Sequence, residues 1–172
     1  MLRVSNVRKA FGPDESAYVA LDGIDLHINE GEIVCLLGPS GCGKSTLLQV
    51  LSGLIPHSVE VPMKTEKLEC PPSWGYVFQD PDSQFCMPFV DEEIAFVLEN
   101  LAIPRKEMSS IIHKLLQQVG LKLNNVHTNI QSLSGGMKQR VILIISTILD
   151  PEFLIADEIT SALDVSSQRF VA

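Results

Sequence analysis

The sequence predicts an α/β fold with a helical insertion near residues 80–133, on three observations. The runs "EIVCLLG", "WGYVFQD" and "EFLIAD" are continuously apolar, as in strands buried on both faces, and do not alternate as one-sided strands do. The first run passes directly into "KSTLLQVLSGL", whose apolar residues recur at helical spacing. Between the second and third runs lie three helical segments. Strands alternating with helices imply a layered sheet-and-helix domain.

In chain order, "LRVSNVRKAF" and "AYVALDGIDLHI" are strand-like and are separated by the turn-rich "GPDESA". After the first buried run and its helix, Gly53 lies near the helix end. "VEVPMKTEKLECPPS" reads as weak strands and turns. "DEEIAFVLENLAI" is an amphipathic helix opening with acids, which suit the positive end of a helix. Pro104 begins "RKEMSSIIHKLLQQVG", which Gly120 closes. "SGGMKQRVILIISTIL" is a third helix of this region, and "EFLIAD" is the last strand.

The chain has 172 residues, enough for one domain with a sizeable core. Its 45% hydrophobic and 20% charged residues are those of a globular protein. A net charge of −8 argues against broad nucleic-acid binding, which needs a basic surface. Cys35, Cys42, Cys70 and Cys86 show no C-x-x-C spacing and read as reduced thiols. The N-terminus has no apolar signal-peptide core, and "VILIISTIL" is too short to cross a bilayer.

"GPSGCGKST" fits G-x-x-x-x-G-K-[ST] through Gly38, Gly43, Lys44 and Ser45. Around Pro39, Ser40, Gly41 and Cys42 the glycines let backbone N–H groups turn inward on phosphate oxygens. The following helix aims its positive end at the same point. Lys44 is expected on the β- and γ-phosphates and the Ser45 hydroxyl at Mg²⁺, with Thr46 among the nucleotide-binding residues of the loop. The required context, a buried strand before and a helix after, is also legible.

"LSGGMKQR" places Ser134, Gly135 and Gly136 at a helix start, a second anion-binding end. Together with the phosphate loop, Gln79 in "FQD" and the acids Asp157 and Glu158, this ordered set resembles the nucleotide-binding domain of ATP-binding cassette (ABC) ATPases. "GPSGCGKST" looks like the Walker A motif, "FQD" the Q-loop, "LSGGMKQR" the signature, "FLIADE" Walker B, and "SALD" the D-loop. The resemblance covers almost the whole chain. It implies a P-loop NTPase (RecA-like) core with an N-terminal antiparallel β subdomain and an inserted helical subdomain. On that reading residues 1–79 hold the β subdomain and phosphate loop, 80–133 the helical insertion, and 134–172 the signature helix, Walker B strand and D-loop.

The resemblance also implies roles. Two such domains pair head to tail, as a homo- or heterodimer, with each ATP between the Walker A loop of one and the signature of the other. Ser134, Gly135 and Gly136 would then face the partner's ATP. Asp157, with Ser45 and Gln79, would hold Mg²⁺; Glu158 would polarise the attacking water; Gln79 would relay the γ-phosphate state to the helical insertion. Phe11 is the candidate for stacking on adenine, with Tyr18 as the other; either could equally be sheet packing.

"FQDPDSQF…VDEEIAFVLENLAIP" resembles the ATPase subunits of energy-coupling factor (ECF) and cobalt-type importers of vitamins, thiamine precursors or metal ions. Peptide-importer ATPases share "QDP" and "SGGM-x-QR". The spacing from Lys44 to Ser134 leaves no room for the long coiled coil of DNA-repair relatives. An integral membrane subunit is expected to dock beside the Q-loop, placing the chain on the cytoplasmic face of the cell membrane. Ribosome-associated ABC ATPases are the competing class. Three departures stand out: Ile159 follows Glu158 where the family usually has Pro; Met137 replaces a frequent Gln; and none of His27, His57, His113 or His127 follows Glu158, where the family's switch histidine belongs. The resemblance therefore leads to the expectation of a C-terminally truncated core that binds nucleotide weakly and hydrolyses it poorly by itself.

Overall fold

A computed structural model describes residues 1–12, 17–55 and 63–157, and the fold is α/β. The contacts divide the chain into two compact units, residues 1–74 and residues 75–172.

In the first unit β1 (Leu2–Phe11) pairs antiparallel with β2 (Tyr18–Ile28), in a register running from Leu2 opposite Ile28 to Phe11 opposite Tyr18. The other edge of β1 pairs with β3 (Met63–Lys64) and β4 (Lys67–Glu69), the short strands expected of that turn-rich stretch. Leu2 and Val4 are buried, then Val7 and Lys9, so the inward parity shifts by one residue. Asn6, at φ 51, makes the irregularity that allows it. Lys9 thus carries an ammonium onto the buried side. It donates to the Ala10 carbonyl at 2.8 Å and lies 4.4 Å from the centre of the Phe11 ring, while burial pushes its pKa down. Helix α1 (Lys44–Leu51) turns Leu47, Val50 and Leu51 inward and contacts β2.

One expectation fails here. "EIVCLLG" forms no strand, and Ile33 and Leu37 are 88% and 93% exposed. Hydropathy records that a segment suits burial on two faces. A strand exists only where a neighbour supplies the hydrogen-bond ladder, and among the described residues none reaches 32–38.

In the second unit β5 (Trp74–Val77) is hydrogen-bonded to β6 (Phe153–Ala156). Helices α2 (Val90–Asn100), α3 (Arg105–Gln118) and α4 (Gly135–Thr147) share one apolar core that includes Val90, Ile94, Ile112, Leu116, Val141 and Ile144. The end of α3 follows the glycine-closed pattern read from the sequence. Gly120, at φ 65, donates to Gln117 O and Leu121 to Leu116 O, while the Leu116 and Leu121 side chains join the core. Helix α2 ends the same way, but on Ala102 at φ 56, a stop that no glycine announces. No described helix is long and apolar enough to cross a membrane. The apolarity of "VILIISTIL" has another cause: Val141, Ile142 and Ile144 of α4 are all buried.

Candidate functional site

In the first unit the loop 38–43 leads into α1 through Gly43, which stands at the helix N-cap with φ 96. A Cβ at Gly43 would lie 2.4 Å from the backbone oxygen of Ala20, so both the dihedral and the space require glycine. Lys44, the first residue of α1, folds back over the loop. Its Nζ donates to Gly38 O at 2.8 Å and Pro39 O at 3.0 Å, and lies 4.0 Å from Cys42 Sγ. The loop is closed by Cys42 N donating to Pro39 O at 3.3 Å. Pro39, Ser40, Gly41, Cys42 and Ser45 are exposed, and Thr46 is half-buried. An ammonium, a helix N-terminus and open backbone therefore converge on one accessible spot, the arrangement that attracts phosphate.

The two candidate aromatics are neighbours, because Phe11 and Tyr18 are paired across β1 and β2. Tyr18 is 60% exposed and donates its hydroxyl to Gly41 O at 2.9 Å, tying the hairpin end to the phosphate loop. Phe11 is 38% exposed and carries the Lys9 ammonium over its ring.

In the second unit, the Asp157 N–H donates to Val77 O at 2.9 Å. Asp157 and the bend holding Gln79 thus lie at one end of the β5–β6 pair. Asp157 is buried and Gln79 exposed. Ser134 caps α4, its Oγ accepting from Met137 N at 3.4 Å, with Gly135 and Gly136 opening the first turn. Glu158, Ile159 and the D-loop Ser161–Asp164 lie outside the described residues.

Beside Asp157 stands a group that the sequence did not flag. Tyr76 is buried, and among the described residues its hydroxyl meets no hydrogen-bond partner. Burial first, and the Asp157 charge second, push its pKa up to about 12. Unfolded tyrosine ionises near pH 10. The raised folded value means that the stabilisation is fully present below about pH 10 and is lost as pH rises towards 12. We expect chemical-denaturation stability to fall by about 1–2 kcal/mol more between pH 9 and 11.5 in the wild type than in Tyr76→Phe. Equal losses would contradict this.

Three more side chains set the site's backbone. Gln84 accepts from Phe78 N at 2.8 Å and donates to Tyr76 O at 2.9 Å, clamping the chain on the near side of Gln79. Glu93, read from the sequence as a helix-end acid, is buried and accepts from Cys86 N at 2.9 Å and Met87 N at 2.7 Å. Asp82 pairs with Lys138 at 2.6 Å. A polar residue facing a bent backbone leaves no periodic trace, so pattern reading passes over such partners.

The glycine loop, its lysine and the helix it opens define a phosphate-binding-loop domain. The chain belongs to the ABC transporter family, which matches residues 21–161. It is 40% identical over 174 residues to the Bacillus subtilis protein YkoD, which carries the name of an HMP/thiamine import ATP-binding protein, covering 93% of this chain and 31% of that one. It is 38% identical over 178 residues to the energy-coupling factor transporter ATP-binding protein EcfA1 of Mycoplasma mobile, covering 99% of this chain and 64% of that one. Among solved structures, the ATP-binding cassette MJ0796, a dimer in a post-hydrolysis state with ADP and Pi, superposes with a TM-score of 0.78 at 25% identity, covering 99% of this chain and 79% of that one. The structure of cbiO1 from Clostridium perfringens, part of the ABC transporter complex cbiONQ, gives a TM-score of 0.74 at 28% identity, covering 99% of this chain and 70% of that one. The chain spans between 25% and 64% of the length of the first curated relatives it matches.

Proposed function

We propose that the chain is the ATP-binding part of an ABC-type importer that couples ATP binding and hydrolysis to uptake of a small solute, of the ECF class. The observation that carries this reading is the Lys44 ammonium held over the Gly38–Gly43 loop at the start of α1. Phosphate oxygens would replace the two neutral carbonyls with anionic acceptors, which bind an ammonium more strongly. The thiamine-import name of one relative and the energy-coupling factor name of others support the importer class; the proposed cargo is a vitamin, a thiamine precursor or a metal ion.

Ser45 hydroxyl, Gln79 amide and Asp157 carboxylate are all-oxygen donors, the chemistry that suits Mg²⁺. With Mg²⁺ bound, its charge would offset that of the β- and γ-phosphates. Glu158 is the proposed base that orients the attacking water, and Lys44 steadies the charge on the transferred group. Gly38 to Thr46 bind the phosphates, and Phe11 or Tyr18 stacks on the adenine. The dimeric state in the name of the MJ0796 structure supports a second cassette, whose nucleotide Ser134, Gly135 and Gly136 would contact.

A groove of about 650 Å³ between α2 and α3, lined by Met87, Asp91, Glu92, Phe96, Glu99 and Met108, is the proposed seat of a membrane subunit on the cytoplasmic face. Its lining sets Asp91, Glu92 and Glu99 beside Arg105, His113 and His127 over an apolar floor of Ala95, Phe96, Met108 and Ile112, which suits an amphipathic helix with charges of both signs. The tagged chain is expected to copurify with an integral membrane protein, and Glu158→Gln to lower Mg·ATP hydrolysis by about 100-fold or more. Copurification with ribosomes, or Mg·ATP hydrolysis above background that Glu158→Gln leaves unchanged, would contradict the proposal.

A further inference from the structure

We infer that the Asp82–Lys138 ion pair is a positioning link that makes the turn holding Gln79 and the start of α4 move as one piece. Asp82 Oδ1 accepts from Lys138 Nζ at 2.6 Å. Lys138 also donates to Gln131 Oε1 at 3.3 Å, and Gln131 Nε2 lies 3.5 Å from Asp82 Oδ1, so the three side chains close a triangle.

Each corner belongs to a segment that matters. Lys138 is in the first turn of α4, its N–H donating to Ser134 O at 2.9 Å. Gln131 lies in the one-turn 3-10 helix Ile130–Ser132 that leads into Ser134. Asp82 lies in the one-turn 3-10 helix Pro81–Ser83, capped by Asp80. The next residue, Gln84, holds Tyr76 O and Phe78 N. Gln79 is thereby enclosed between two fixed points, Phe78 and the Asp80–Gln84 turn. A displacement there has a short polar path to Ser134.

The charge placement argues that position, and not stability, is what the pair supplies. Lys138 is a buried cation in the first turn of a helix, the end whose dipole repels positive charge. The Lys138 side chain is 10% exposed and that of Asp82 46%, so the pair is half-open to solvent and its net contribution to stability is small. What an apolar residue cannot do is fix one geometry between Asp82 and Gln131.

The functional half of the inference rests on the nucleotide reading above, so the experiment has two arms. The first arm needs no nucleotide: amide hydrogen exchange on the full chain with Asp82→Asn, with Lys138→Met, and with the swap Asp82→Lys/Lys138→Asp. Each single variant is expected to speed exchange by about tenfold at both 78–84 and 134–138, leaving 38–46 unchanged, and the swap to restore protection. Exchange altered only around the mutated residue overturns the link. The second arm measures Mg·ATP affinity and ATP-dependent dimerisation. The single variants are expected to keep the affinity within about twofold and to weaken dimerisation by about tenfold, with recovery in the swap. Unchanged dimerisation overturns the coupling role. A wild type that binds no ATP refutes the nucleotide reading, and the exchange arm still decides the link.

Discussion

Lys44→Ala is expected to weaken Mg·ATP binding by about 100-fold or more while leaving the melting temperature nearly unchanged. A charge-assisted hydrogen bond contributes about 1.5–3 kcal/mol, and tenfold in affinity is about 1.4 kcal/mol, so losing two such bonds to phosphate oxygens exceeds a factor of 100. The fold should tolerate the change. Among the described residues Lys44 Nζ bonds within its own loop, to Gly38 O, Pro39 O and Cys42 Sγ, and Ala is at least as good as Lys in a helix. Calorimetric titration with Mg·ATP beside a thermal melt separates the two effects. A variant with wild-type affinity would remove Lys44 from the phosphate site. One that unfolds would make the lysine structural instead.

Gly75→Ala is expected to have the opposite signature: a large loss of stability from a residue outside the phosphate loop. A Cβ at Gly75 would stand 2.3 Å from the backbone oxygen of Ser146, 3.1 Å from Leu154 Cδ1 and 3.3 Å from Pro151 Cγ. The nearest atom is helix backbone, so no rotamer change relieves the clash. Ser146 Oγ also donates to Tyr76 O at 3.0 Å, tying α4 to β5 at this crossing. Overpacking against main chain costs about 3 kcal/mol, which for a chain of this size lowers the melting temperature by about 6–12 °C. A thermal melt within about 2 °C of wild type would mean that α4 and β5 are free to separate there.

The contrast between these two glycine-linked features explains what the sequence discloses. The phosphate loop is legible because its chemistry is local. Gly43 needs its φ of 96, Lys44 must follow it and α1 must start there, and all three constraints fall on consecutive residues. The helices of the second unit are legible for a similar reason, since their core positions recur at helical spacing. Gly75 carries as strict a constraint, but its cause lies about 70 residues away in α4 and leaves no mark near "WGYV". The same holds for Asp82 and Lys138, 56 residues apart and bonded at 2.6 Å. Of the acids at the start of α2, composition gives the helix end but not the partner: Glu93 serves the backbone of Cys86 and Met87, and Asp91 meets His127 at 3.1 Å. "EIVCLLG" marks the limit in the other direction. Its hydropathy is that of a buried strand, but pairing depends on what lies alongside, which no local pattern encodes.

Everything proposed for this chain depends on the Gly38–Thr46 loop binding a nucleotide through its phosphates. Titrating the chain with Mg·ATP, Mg·ADP and adenosine, while following the backbone amides of residues 38–46 by nuclear magnetic resonance, tests it most directly. Saturable shifts are expected at Gly41, Gly43, Lys44 and Ser45 with ATP and ADP, at about 100-fold or more weaker affinity in Lys44→Ala, and none with adenosine. Shifts of equal size with adenosine, or saturable ATP binding that leaves these amides unmoved, would contradict it.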